Sequence, residues 1–174
     1  ENRGKGEAVR AGMLHAFARG PELAGYWDAD LATPLDEIPR FVELLERRPE
    51  RLVVFGARVA LLGRSIRRRA WRHYLGRVFA TVAAETLHVP VYDTQFGAKL
   101  FRVGPETRAL FGEPFLSRWF FDVEILARLV AASGKEGAAH AREVVYELAV
   151  RQWHDVGDSK VGASGFARSL VDMA

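Results

Sequence analysis

The run Ala24-Gly25-Tyr26-Trp27-Asp28-Ala29 passes from small and aromatic residues into an acidic turn that Asp30 completes. It reads as a short buried strand whose carboxyl end opens onto carboxylates. Upstream, Ala8, Val9, Gly12, Met13, Ala16 and Phe17 recur at three- and four-residue spacing. That is a helix signal, and Gly20-Pro21 terminates it. The preceding Asn2-Arg3-Gly4-Lys5-Gly6 reads as a basic, turn-rich loop. Downstream, Thr33-Pro34 offers an N-cap and a first-turn proline to a helix over 35–48, with Leu35, Ile38, Phe41, Val42 and Leu45 on one face. Residues 51–57 are apolar and β-branched, a second buried strand. Helix, strand, helix, strand is the alternation of an α/β fold with a mostly parallel sheet and crossover helices.

The remainder continues in the same manner. The pattern predicts a long helix over 65–87, a loop or short strand over 88–94, a strand over 98–103 and a short helix over 105–111. An amphipathic helix over 121–132, a strand over 142–150, a polar loop over 152–164 and a last helix over 166–173 follow. With 174 residues, 49% apolar and 27% charged, the chain fits one globular domain over 1–174 rather than a disordered segment. No run approaches 18 continuous apolar residues. The absence of Cys excludes a disulfide framework, a thiolate metal site and a cysteine nucleophile. The five histidines lack metalloprotease spacing, no Ser sits in a nucleophile elbow, and Gly4-Lys5-Gly6 lacks the spacing of a phosphate-binding P-loop.

Three segments carry candidate chemistry. Asp28 and Asp30 lie i, i+2 across a turn at a strand's carboxyl end, where ligands of open α/β sheets bind. Oxygen donors so placed suit a hard divalent cation, Mg²⁺ or Mn²⁺, with substrate phosphates completing its shell. Between Arg51 and Ala84 there is no Asp or Glu, while Arg58, Arg64, Arg67, Arg68, Arg69, Arg72 and Arg77 accumulate. Such a run can hold a substrate phosphate by forked guanidinium bonds, lie on an anionic membrane, or bind nucleic acid. Finally, Asp93-Thr94-Gln95-Phe96-Gly97 is a polar turn, and Arg118-Trp119-Phe120-Phe121-Asp122-Val123-Glu124 puts carboxylates at a helix N-terminus.

The order of these pieces is more specific than any one of them. Gly4-Lys5-Gly6-x-Ala8-Val9-Arg10, the Asp-Ala-Asp triplet, Gly56-Ala57-Arg58, the arginine-rich helix, the 93–102 string, the 118–124 string and Gly157-Asp158-Ser159-Lys160 follow one another. The series resembles a family 2 glycosyltransferase, within it the dolichyl-phosphate β-glucosyltransferase branch and its bacterial polyprenyl-phosphate relatives. The resemblance implies the GT-A nucleotide-diphospho-sugar transferase fold. It also implies that the chain is the central and C-terminal part of a catalytic domain whose N-terminal part is missing, because family members usually begin with a nucleotide-binding strand–loop–helix unit that has no counterpart here.

The implied reaction is an inverting displacement that moves a sugar, glucose, from a UDP-sugar to a polyprenyl or dolichyl phosphate. Asp30 would bind Mg²⁺ or Mn²⁺, with Asp28 assisting. Lys5, Asp28 and Lys160 would serve the donor nucleotide, and Arg58 and Arg72 the acceptor phosphate. Asp93 would act in positioning or as a base, and Asp122 would orient donor or acceptor. The expected setting is cytoplasmic, peripheral at the inner face of a membrane. Two other functions compete. A same-fold glycosyltransferase with a soluble sugar or protein acceptor leaves the arginine excess without a purpose. A nucleic-acid-binding module leaves the acidic turns unexplained, so no nucleic-acid partner is expected.

Overall fold

The structure, a computed structural model, describes residues 3–67, 70–154 and 156, the side chains of 67 and 70–75 excepted. Of the polar loop predicted over 152–164, residues 152–154 form a strand instead and 157–164 lie outside the described residues, as does the predicted helix over 166–173. The chain folds as α1 (Lys5–Ala18), β1 (Leu23–Trp27), α2 (Ile38–Arg47), β2 (Val53–Ala57), β3 (Ser65–Arg67) and α3 (Ala70–Leu87). It continues as β4 (Ala98–Arg102), α4 (Pro105–Ala109), α5 (Phe121–Ala132), α6 (Gly137–Val144), β5 (Val145–Ala149) and β6 (Gln152–His154).

Four strands make one sheet in the order β1-β4-β2-β5. The expected mostly parallel sheet is corrected here to a mixed one. β4 runs antiparallel to both β1 and β2, and only β2 and β5 pair in parallel. β1, β2 and β5 therefore point the same way, but β4 lies between β1 and β2. The carboxyl ends of three strands and the amino end of β4 share one edge, and the candidate site forms there.

Alternation along the strands divides the core. Val53, Phe55, Phe101 and Ala24 face one side, where they pack with Met13 and Phe17 of α1 and with Phe121, Ile125, Leu126 and Leu129 of α5. Val54 and Ala98 face the other side, against Phe41 and Leu45 of α2. Cross-strand register aligns Tyr26 with Lys99, Lys99 with Phe55, and Phe55 with Glu147. A single row across all four strands thus contains a phenol, a buried ammonium, an aromatic ring and a carboxylate.

Several boundaries differ from expectation. α1 begins at Lys5, so the basic loop reaches only to Gly4, which sits at φ 89°. Thr33 does not cap α2: a 3₁₀ turn at Leu35–Glu37 precedes the helix, with Pro34 at its N-terminal boundary. The predicted helix over 65–87 is shortened to α3, because residues 65–67 instead pair with β6 in a two-stranded parallel sheet. Ile66 and Trp153 of that pair close over the Phe41 side of the core. Residues 142–144 finish α6 rather than opening β5. The helix over 121–132 stands as predicted.

Candidate active site

The acidic turn leaves β1 at the shared edge. The Asp28 amide donates to Gly97 O at 2.7 Å, and its Oδ1 pairs with Lys5 Nζ at 2.6 Å. Gly97 is required by this approach, since a Cβ there would stand 1.9 Å from Asp28 Oδ2. Asp30 is exposed, and its Oδ1 accepts from the amide of Ala32 at 3.0 Å. The turn continues through Leu31 at φ 53° and is tied to β6 by His154 N donating to Ala32 O. Among the described residues no three His, Cys, Asp or Glu side chains group as a metal cluster. A hard cation takes carboxylate oxygens, and Asp28 and Asp30 are the carboxylates of this turn, with Asp28 Oδ1 facing the Lys5 ammonium. The protein would contribute two carboxylates and leave the remaining positions to ligand oxygens.

Arg58 follows β2 and meets Asp93 through a two-pronged contact. Its Nε donates to Oδ2 and its Nη2 to Oδ1, both at 2.7 Å, and its backbone amide adds a third bond to Oδ2. Both side chains are largely buried, and the guanidinium also lies over the rings of Trp153 and Phe96. The planar fork of Arg matches a carboxylate, so each fixes the other's orientation.

Asp122 occupies the first turn of α5, where the helix dipole favours an anion. It is 2% exposed and its Oδ1 accepts from Lys99 Nζ and from Tyr26 Oη, each at 2.6 Å. Lys99 is fully buried and also donates to Thr94 O at 3.1 Å and Phe96 O at 2.7 Å. Its ammonium stands 4.5 Å from the centre of the Phe55 ring. Burial pulls Lys99 below its ordinary pKa, and Asp122 opposes that shift. Burial and then the charge of Asp122 push the Tyr26 phenol well above its ordinary value.

Gly4 and the first residues of α1, Lys5 and Gly6, join the same edge. Gly6 N donates to Arg118 O, and a Cβ at Gly4 would stand 2.9 Å from the Arg118 Cβ. Ser117 Oγ accepts from the amides of Trp119 and Phe120 and sets the entry to α5. Large apolar side chains stand exposed in segments flanking this edge: Leu61 and Leu62 after β2, Leu116 and Trp119 before α5, and Val78 and Val82 on α3.

The structure therefore brings together Lys5 with Asp28, Arg58 with Asp93, and Asp122 with the row of side chains beneath. Arg72 lies on α3 with its side chain outside the described residues, as does Lys160 entirely. Sequence reading missed Lys99, Tyr26 and Glu147. Tyr26 lies in the 24–30 run and Lys99 in the 93–102 string, where a charged residue inside an apolar strand is the available signal. Glu147 likewise interrupts β5.

These features define an α/β domain that gathers an acidic turn and a carboxylate-braced arginine at one sheet edge. Residues 1–107 match glycosyl transferase family 2, and the chain belongs to that family, as the motif order suggests. The family implies a GT-A-like α/β fold. The chain is 33% identical to a dolichyl-phosphate beta-glucosyltransferase of Trichomonas vaginalis, covering 99% of this chain and 48% of that protein. It is 34% identical to the dolichyl-phosphate beta-glucosyltransferase of Drosophila melanogaster, over 92% of this chain and 47% of the relative. The Saccharomyces cerevisiae enzyme of the same name is 28% identical over the same shares. The chain spans about half the length of these curated relatives. No solved structure matches it.

Proposed function

We propose that this domain serves an inverting glycosyltransferase that moves glucose from UDP-glucose to a polyprenyl or dolichyl phosphate. The observation that carries the reading is the Arg58–Asp93 fork at the same sheet edge as the Lys5–Asp28 pair. One cation braced by a carboxylate and one carboxylate beside a cation suit two phosphorylated substrates meeting at one place. The names of the relatives support a dolichyl phosphate acceptor and a glucosyl group.

In the reaction an acceptor phosphate oxygen attacks C1 of the sugar from the face opposite UDP. The new bond joins that oxygen to C1, and the bond between C1 and the UDP oxygen breaks, inverting the configuration. A phosphate is already ionised near neutral pH, so the nucleophile needs no strong general base. Arg58, oriented by Asp93, and Arg72 supply guanidinium groups to the acceptor phosphate. Asp122 orients donor or acceptor from the start of α5. Lys5 and Lys160 serve the diphosphate. Asp28 and Asp30 would hold Mg²⁺ or Mn²⁺, which when bound would neutralise charge on the departing UDP.

The acid-free stretch between Arg51 and Ala84, with exposed Leu61, Leu62, Val78 and Val82 in it, supports attachment to an anionic membrane surface. No described helix is long and apolar enough to cross a membrane. The test is transfer of labelled glucose to polyprenyl phosphate in detergent by the full-length enzyme. Arg72→Ala is expected to lower turnover on the order of a hundredfold while UDP-glucose binding survives, as loss of a charge-assisted phosphate contact predicts. Equal transfer to a soluble sugar acceptor, or wild-type turnover in the variant, overturns the reading.

A further inference from the structure

The loop 92–97 that carries Asp93 is held from two sides by groups of opposite charge, the half-buried Glu147 and the buried Lys99. Glu147 Oε2 accepts from the Tyr92 amide at 2.7 Å, and its Oε1 from the Asp93 amide at 2.9 Å. Lys99 Nζ donates to the carbonyls of Thr94 and Phe96, and Gly97 O accepts from the Asp28 amide. An acid takes the loop's donors at its start, and a base takes its acceptors further on. Glu147 and Lys99 both flank Phe55 in the cross-sheet row, so β2, β4 and β5 fix their spacing.

We propose that Glu147 is a positioning residue: by clamping two consecutive amides it sets the Asp93 carboxylate in register with the Arg58 fork. The geometry is demanding. Asp93 bonds Arg58 through both of its oxygens, and it also accepts the Arg58 backbone amide. A small rotation of the 92–93 backbone would break that alignment. A carboxylate suits the clamp because both oxygens accept, whereas an amide presents a donor to one of the two N–H groups. Both Glu147 oxygens are taken by the Tyr92 and Asp93 amides, so it acts through Asp93 and not on substrate.

The proposal rests on the glycosyltransferase reading only for its kinetic arm. In that arm Glu147→Gln is expected to lower kcat about tenfold or more with donor KM within about twofold. In an Asp93→Asn background the same change is expected to cost less than about twofold, because residues acting as a unit are not additive. In the independent arm, amide exchange by NMR is expected to show loss of protection at Tyr92 and Asp93 in Glu147→Gln, with the β2 and β4 amides unchanged. Glu147→Asp, which keeps the charge one methylene short, is expected to deprotect the same two amides. Unaltered protection in both variants, or additive kinetic losses, overturns the proposal. An enzyme that transfers no glucose to polyprenyl phosphate but shows the predicted exchange pattern would sink the functional reading and leave the clamp standing.

Discussion

Asp28 and Gly97 occupy each other's space: the Asp28 carboxylate lies where a side chain at position 97 would have to begin, 1.9 Å from the position of its Cβ. The Asp28 amide is also bonded to Gly97 O at 2.7 Å. The acidic turn after β1 is therefore seated against the start of β4, and the hydrogen bond and the missing side chain together fix where Asp28 presents its oxygens.

Gly97→Ala should move Asp28 without unfolding the domain, because the atoms it displaces are the mobile end of a side chain. The Lys5–Asp28 pair is about one third exposed, so its loss should cost less than about 1 kcal/mol of stability. Affinity for UDP with Mn²⁺ should fall about tenfold or more, about 1.4 kcal/mol. Asp30→Asn should abolish the EDTA-sensitive part of that binding, and Asp28→Asn should weaken it less. Calorimetry of the full-length enzyme checks all three; undiminished UDP affinity in Asp30→Asn would remove the acidic turn from the donor site.

Lys99→Met should be severely destabilising. The ammonium is fully buried, pairs with Asp122 and satisfies two loop carbonyls. Removing one partner of a buried ion pair leaves the other uncompensated, a loss of about 3–5 kcal/mol. Urea denaturation should show the loss as a lower midpoint. A change under about 1 kcal/mol would mean that Asp122 is readily solvated.

Glu147 gives the stability a pH dependence of known sign. Burial pushes its carboxyl above the ordinary range; the Asp93 and Tyr92 amides oppose this, the charge of Asp93 adds to it, and Lys99 opposes it. The folded chain then binds a proton at pH values where the unfolded chain has released it, so this group's contribution falls as pH rises from about 4.3 through the raised value. The stability of wild type relative to Glu147→Gln should decline across that window. Thermal melts in steps from pH 4 to pH 8 measure it, and a difference that grows with pH would contradict the raised value.

Replacing Arg67, Arg68 and Arg69 together by Ala should spare turnover in detergent and weaken binding to anionic vesicles. Each juxtamembrane arginine is worth about 1 kcal/mol near such a surface, so the three together amount to on the order of a hundredfold. Added salt should mimic the change in wild type. Vesicle flotation reads both, and equal flotation of the two proteins would leave these arginines without a membrane role.

The sequence determined the alternation of helices and strands, the helix from Phe121 to Ala132, the glycine-bounded end of α1, and the ordered motifs that place the chain in its family. Each of these is written in local spacing: a 3.6-residue period, a proline, a glycine, or a string of neighbouring side chains. Only the tertiary structure decided that β4 enters between β1 and β2 in the opposite direction, and that residues 65–67 pair with 152–154 rather than extending α3. Periodicity tells which side chains share a face of a strand and is silent on which strand lies beside it. The same limit hid the site's internal support. Lys99 meets Asp122 across 23 residues, Arg58 meets Asp93 across 35, and Glu147 reaches Tyr92 across 55. A charge inside an apolar strand is tolerable only with a partner in reach, and that partner is set by strand order and register, which form when the sheet closes.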